Sequence, residues 1–243
     1  MPETRLENLG GKMTAVISKS HGFGTDSLLL AAFAAPKKSE TVCDFGSGCG
    51  IMPLLWCRDG LCKSITALEI QKDACAQLEK AVELNGLSQK LKVINGDLRR
   101  AFELLPLNSF DLVTMNPPYK APGAGAAASD EAASIARHEV ACRFCDVADA
   151  AAKILRFGGR LCVCHRPERA ADVICCMRSA GIEPKRIMTV THKLGMKPKL
   201  ILVEGKKGGK SGVVIEPELI LNDCSGNYTK RVVKIYGPYN NKD

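Results

Sequence analysis

The chain has 243 residues, 46% hydrophobic and 25% charged, enough to bury a sizeable core, and one domain is expected. No stretch approaches the roughly 18 uninterrupted apolar residues of a membrane helix, and Met1-Pro2-Glu3-Thr4-Arg5 does not lead into the apolar segment of a secretory signal, so a cytosolic protein is expected. The net charge of +8 is concentrated: residues 193 to 210 hold Lys193, Lys197, Lys199, Lys206, Lys207 and Lys210 against the single acid Glu204, a field that favours an anionic partner.

Residues 1–40 read as an extension packed on a main domain of residues 41–243. From Thr41 onward, short β-rich runs alternate with helical stretches, the pattern of an α/β domain with a mostly parallel sheet. Thr41 to Phe45 is a strand, followed by a glycine turn and a helix to about Arg58; Ser64 to Glu69 is the second strand. Asp73 to Leu84 carries apolar residues at helical spacing (Ala74, Leu78, Ala81, Val82) and ends at Asn85-Gly86, a left-handed stop. Lys92 to Asn95 and Phe110 to Met115 are further strands, the second ended by Pro117-Pro118. Lys120 to Ser129, rich in Ala, Gly and Pro, reads as a loop beside Tyr119. A helix is expected over Glu139 to Arg156, stopping at Gly158-Gly159, with a strand over Arg160 to Cys164. Helix, strand and strand follow over Arg166–Ala180, Pro184–Val190 and Lys199–Glu204. Gly205 to Gly212 then resembles the basic tip of a hairpin returning through Val213-Val214-Ile215.

The twelve cysteines include Cys43, Cys142, Cys162, Cys164, Cys175 and Cys176 inside apolar runs, and without an export signal they read as reduced, small core residues. Cys162-Val163-Cys164-His165 has no second ligand pair at finger-like spacing, so no metal is expected. Gly205 to Ser211 imitates a phosphate-binding loop but is one residue short of the required spacing.

Two motifs carry chemistry. Asp44-Phe45-Gly46-Ser47-Gly48-Cys49-Gly50 follows a strand and opens a helix, where glycines let backbone N–H groups approach a ligand. Glu69 ends the next strand, placed to accept the ribose hydroxyls of a bound nucleoside, and Asp97 follows the third strand, placed to accept from an adenine amino group; Ile70 and Leu98, next to these acids, and Asn116 after the fourth strand complete the cofactor set. The alternating Asp-x-Gly-x-Gly-x-Gly differs from the G-x-G-x-x-G of dinucleotide binders and resembles the first motif of class I methyltransferases. That resemblance implies S-adenosylmethionine as cofactor and a Rossmann-like, seven-stranded sheet with helices on both faces and an antiparallel C-terminal hairpin.

The second motif is Asn116-Pro117-Pro118-Tyr119. An amino group on a planar ring is a poor nucleophile, because its lone pair is delocalised. The Asn116 side-chain oxygen and the Pro117 carbonyl can accept its two N–H bonds and stabilise the charge that develops on nitrogen. Pro118 stiffens the turn, and Tyr119 offers a stacking face that aligns the base. The motif resembles that of amino methyltransferases acting on adenine N6, guanine N2 or a glutamine amide.

With Phe23-Gly24-Thr25-Asp26-Ser27-Leu28-Leu29-Leu30-Ala31-Ala32-Phe33, Arg137-His138-Glu139, Gly158-Gly159-Arg160 and Tyr228-Thr229, the chain resembles, over nearly its whole length, bacterial tRNA adenine-N6 methyltransferases that modify valine tRNA beside the anticodon. The resemblance implies that Phe23, Gly24, Thr25 and Asp26 cap the cofactor pocket, and that the acceptor is a base turned out of an RNA loop. Lys206, Lys207, Lys210, Lys230 and Arg231 would then suit the RNA backbone. Two other activities stay open: methylation of ribosomal RNA or of a glutamine in a release factor, although the second usually brings a helical N-terminal domain. A non-catalytic RNA-binding protein of the same fold is the remaining reading.

Overall fold

The computed structural model describes residues 3–117 and 143–237. Its main sheet has nine strands in the order β10-β8-β9-β7-β6-β3-β4-β5, with β11 also on β8. In chain order these are β3 (Thr41–Phe45), β4 (Ser64–Glu69), β5 (Leu91–Asn95), β6 (Phe110–Met115), β7 (Leu155–His165), β8 (Ile182–Thr191), β9 (Pro198–Lys207), β10 (Val214–Ile215) and β11 (Leu219–Ile220). The five strands from β5 to β7 are parallel; β9 alone runs against its neighbours β7 and β8. The expected seven strands are therefore joined by two short ones.

The chain leaves β3 toward β4 and β5, then crosses back to lay β6 on the other side of β3. In an open parallel sheet that reversal parts the connections above the carboxyl ends of the two strands and leaves a crevice there. Asp44 and Asn116 stand at its two lips.

Helices α1 (Thr25–Ala34), α2 (Ile51–Arg58), α3 (Lys72–Leu84), α4 (Ala101–Leu104), α5 (Phe144–Ile154), α6 (Ala170–Ser179) and α7 (Lys230–Tyr236) complete the layers. Two apolar clusters are built on the sheet. One joins Trp56, Leu54, Leu30 and Leu78, and the other joins Phe45, Leu155, Val163 and Met177. The buried Trp56 indole donates to the Ala31 carbonyl at 3.1 Å, fixing α2 against α1.

The N-terminal hairpin of β1 (Thr4–Asn8) and β2 (Thr14–Ser18) pairs only with itself among the described residues. Two amides, one on α3 and one just past its end, attach it. Gln77 donates to the carbonyls of Val16 and His21 at 2.7 and 2.8 Å. Asn85 accepts from Thr14 N–H at 2.9 Å and donates to its carbonyl at 2.7 Å. Asn85 thus stitches α3 to β2, and Gly86, at φ 64°, is the residue that turns left-handed.

Four expectations are corrected. Lys207 leads to no hairpin with Val213–Ile215, because β10 pairs in parallel with the far edge of β8; the antiparallel hairpin is β8 with β9, turning through residues 192–197. The helix expected over 139–156 is described from Phe144 and ends at Ile154, its first residues lying outside the described residues. Strand β7 has already begun at Leu155, and Gly158-Gly159 lie in an irregularity where Phe110 faces Leu155 and Leu112 faces Arg160. A Cβ on Gly159 would stand 3.0 Å from the Phe110 carbonyl oxygen, so the glycine permits the strand contact rather than ending a helix. Finally, Cys176 is not reduced: it forms a disulfide with Cys145, 31 residues earlier, across the α5–α6 contact.

Candidate cofactor and substrate site

The glycine turn between β3 and α2 has Gly46, Gly48 and Gly50 at φ 63°, 54° and 76°, the region that favours glycine. They do different things. A Cβ on Gly46 or Gly48 would meet nothing within 4 Å, so the turn is open there, whereas one on Gly50 would stand 2.2 Å from Leu78 Cδ1. Gly50 therefore lets α2 start tightly against α3. Gly46 N–H donates to the Leu68 carbonyl at 2.8 Å, and the Ser47 hydroxyl donates to the Asp44 carbonyl at 2.8 Å, fixing the turn.

Glu69, at the end of β4, is buried. One carboxylate oxygen accepts from Gly48 N–H and the other from Gln71 N–H, each at 2.9 Å, and each keeps further acceptor capacity. The glycine turn and the Glu69 carboxylate are thus one hydrogen-bonded unit. Ile70 beside it is 60% exposed, an aliphatic surface suited to an adenine face.

Asp97 begins the next connection. It accepts from Arg99 N–H at 2.9 Å, and the Arg99 Nε lies 3.0 and 2.9 Å from its two oxygens. These bonds hold its carboxyl below the usual carboxylate range. An adenine contact at Asp97 would share the carboxylate with a guanidinium. Leu98 opens a short 3-10 turn and packs, half-buried, on the second core cluster.

Asp44 lies beneath the turn, 1% exposed. Thr114, opposite it in the β3–β6 register, donates to Oδ1 at 2.6 Å, while Oδ2 is buried with no hydrogen-bond partner among the described residues. Burial pushes the Asp44 carboxyl up to about 7, against the opposing pull of the Thr114 hydrogen bond. An unsatisfied buried acceptor below an open glycine turn fits a cationic amino-acid head group, and Glu69 fits a ribose. The residues present therefore fit S-adenosylmethionine.

Across the crevice, Asn116 follows β6, and its side-chain amide donates to the Ser27 hydroxyl at 2.8 Å. Pro117 is the last described residue of that segment; Pro118 and Tyr119, and the loop expected over 120–129, lie outside the described residues. Phe23 packs on the first core cluster, Gly24 caps α1 in extended conformation, and the Thr25 hydroxyl donates to Asp26 at 3.4 Å. This segment is thereby brought beside Asn116 through Ser27.

The basic residues fall into two places. Lys206 faces Arg160, five residues along β7 from His165, so Lys206 and Lys207 lie about 16 Å from the crevice end of the sheet. The Lys207 ammonium donates to Asn108 and to the carbonyls of Ala152 and Leu155 at 2.6 to 2.7 Å, closing the sheet's opposite end. Lys210 follows on that same side, its carbonyl bound by Lys185. Lys193, Lys197 and Lys199, in contrast, are exposed at the crevice end. Lys230 opens α7, and Arg231 donates to the Pro217 carbonyl at 3.1 Å. No group of three or more potential metal ligands occurs among the described residues.

Sequence reasoning passed over Ser27, Thr114 and Asn95. The Asn95 amide donates to the carbonyls of Glu69 and Ile70, both at 2.9 Å, and sets their positions. Its signal was an amide closing a strand next to the one that ends in Glu69.

Comparison with known proteins agrees with this geometry. A relative from Tolumonas auensis named tRNA1(Val) (adenine(37)-N6)-methyltransferase is 26% identical over 87% of this chain and 86% of its own length. One of the same name from Parabacteroides distasonis is 26% identical over 74% and 75%. Among solved structures, protein Atu636 from Agrobacterium tumefaciens, described as a predicted O-methyltransferase, superposes with a TM-score of 0.69 at 21% identity, covering 87% of this chain and 95% of that one; at that identity the likeness establishes the fold. The family model described as the methyltransferase small domain matches residues 13–174, from β2 through the glycine turn and Asn116 into α6. The chain belongs to the methyltransferase small domain family.

Proposed function

We propose that this protein transfers a methyl group from S-adenosylmethionine to the exocyclic N6 of an adenine in RNA, specifically a tRNA base next to the anticodon, in the cytoplasm. The observation that carries the reading is Asn116, held by Ser27 at the lip of the crevice opposite Asp44 and Glu69. The names of the full-length relatives support adenine in tRNA over the other planar amino groups.

The bound cofactor supplies an electrophilic methyl group on sulfur. The protein's part is position and polarity. The Asn116 amide, whose NH2 donates to Ser27, presents its oxygen to an N–H of the substrate amino group in this reading, and the Pro117 carbonyl takes the other. Two fixed acceptors favour nitrogen as it becomes tetrahedral and positive. In this reading Tyr119 supplies the stacking face. Lys230 and the lysines of the β8–β9 turn, at the crevice end, meet the RNA backbone in this reading. Residues 1–40 and 41–243 act as one catalytic unit, since β2 and α1 share the core of the main sheet.

The test is methyl transfer from labelled cofactor to unmodified tRNA, with mass mapping of the modified nucleoside. N6-methyladenosine beside the anticodon, lost in Asn116→Ala while the fold persists, is the expected result. Label appearing in protein instead of RNA overturns it.

A further inference from the structure

A cavity of about 480 Å³ opens beside the crevice and shares only Thr25 with the groups assigned above to cofactor and reacting base. Its wall includes Thr25, His192, Lys199, Asn222, Tyr228 and Tyr236. Three stretches distant in sequence make it: the start of α1, the β8–β9 turn with the first residues of β9, and the loop after β11 together with the end of α7. The loop is firmly built. Leu221 and Asn222 N–H groups donate to the carbonyls of Thr191 and His192, both at 2.9 Å. Thr229 closes back onto Leu221 at 2.9 Å, and Asp223 accepts from the N–H groups of Ser225 and Asn227. The one acid of the loop is thus committed to its own turn.

The lining is chemically mixed in a specific way. Tyr228 is 41% exposed, and its ring meets the buried Tyr236 edge-on at 5.1 Å between centroids, so it is held in place before any ligand arrives. Lys199 and His192 are exposed at the rim, with Lys193 and Lys197 next to them on the turn. A fixed aromatic surface bordered by lysine is the combination that binds single-stranded nucleic acid, the ring stacking on a base and the ammonium meeting its phosphate. The volume lies within the range of small-ligand sites, about 300 to 1,000 Å³.

The position narrows the occupant. Thr25 is on the cavity wall, and Ser27, two residues on in the same helix, holds Asn116. Two residues are about 3 Å along the helix axis and just over half a turn, so the cavity and the Asn116 contact flank the same first turn of α1. We infer that this cavity is a nucleotide subsite, which takes an RNA nucleotide flanking the target adenine, stacks its base on Tyr228 and contacts its phosphate with Lys199. The inference rests on the RNA reading above and adds the part of the substrate that would set sequence context.

Fluorescence anisotropy of a labelled single-stranded RNA hexamer, with the full chain as wild type, Tyr228→Ala, Tyr228→Phe and Lys199→Ala, tests it. Tyr228→Ala should weaken binding at least fivefold, and Tyr228→Phe should restore it to within twofold. Lys199→Ala, an exposed change with no hydrogen bond or ion pair to lose among the described residues, should lower the slope of log affinity against log salt by about one. Cofactor affinity should be unchanged in all three. Binding by Tyr228→Ala within twofold of wild type, an unaltered salt slope in Lys199→Ala, or no hexamer binding by wild type overturns the subsite. If the hexamer results are as expected but no methyl group reaches RNA, the subsite stands and the proposed reaction falls.

Discussion

The amide of Asn116 and the hydroxyl of Ser27 meet at 2.8 Å, joining the end of β6 to the first turn of α1. A residue outside the Asn-Pro-Pro-Tyr motif thereby sets the orientation of its acceptor. Ser27→Ala should lower kcat about tenfold to a hundredfold with the cofactor dissociation constant unchanged, while Asn116→Ala should lower it by about a hundredfold to a thousandfold. Single-turnover methyl transfer measures both, and equal losses in cofactor binding and rate would contradict the division.

Asp44 predicts an unusual pH dependence. Its carboxyl lies at about 7 in the folded chain against an ordinary value of 3.8. The folded state binds the extra proton between these values, so stability from this group is greatest at low pH and falls as pH rises from about 4 to about 7. The loss is on the order of 4 kcal/mol. Urea denaturation of the cofactor-free protein at pH 5 and pH 7.5 should show a steeper decline for wild type than for Asp44→Asn. Parallel declines would mean that Asp44 is not the group responsible.

The glycine turn should separate stability from binding. Gly50→Ala combines a positive φ with a Cβ 2.2 Å from Leu78 Cδ1, and it should destabilise by about 2 to 4 kcal/mol. Gly48→Ala meets nothing within 4 Å, so it should cost about 1 to 2 kcal/mol of backbone strain but weaken cofactor binding at least tenfold. Thermal melts and calorimetric titration distinguish the two.

The Cys145–Cys176 bond closes a 31-residue separation, which corresponds to about 3 to 4 kcal/mol of chain-entropy stabilisation. Reduction, or Cys145→Ser with Cys176→Ser, should lower the melting temperature by several degrees. Alkylation without reductant should label the exposed Cys175 and Cys224 and spare Cys145. Labelling of Cys145 under those conditions would exclude the bond.

Much of the fold was legible because its signals are local. Ser64–Glu69 and Phe110–Met115 are the strands the sequence indicates, the second bounded by a proline pair that cannot continue a sheet. Asp44, Glu69 and Asn116 all stand at carboxyl ends of parallel strands, as a motif read in its strand context requires. Nonlocal relations were not legible. Val214–Ile215 has only two residues to pair, too few for alternation to reveal that it lies along β8 and not β9. The bonds of Asn85 to Thr14 and of Asn116 to Ser27 span 71 and 89 residues. The Cys145–Cys176 bond depends on the distance between two helices, which spacing along the chain does not encode.

Because β9 runs against its neighbours, Lys199 stands at one end of the strand and Lys206 and Lys207 at the other. The molecule consequently has two positive poles, and its net charge is a poor guide to how it behaves near a polyanion. On a negatively charged chromatographic surface it should adsorb in two orientations, one burying the crevice and one presenting it. Removing the charge of Lys206 and Lys210 would weaken the second pole, so such a variant, immobilised through charge alone, should give added RNA less access than the native protein does.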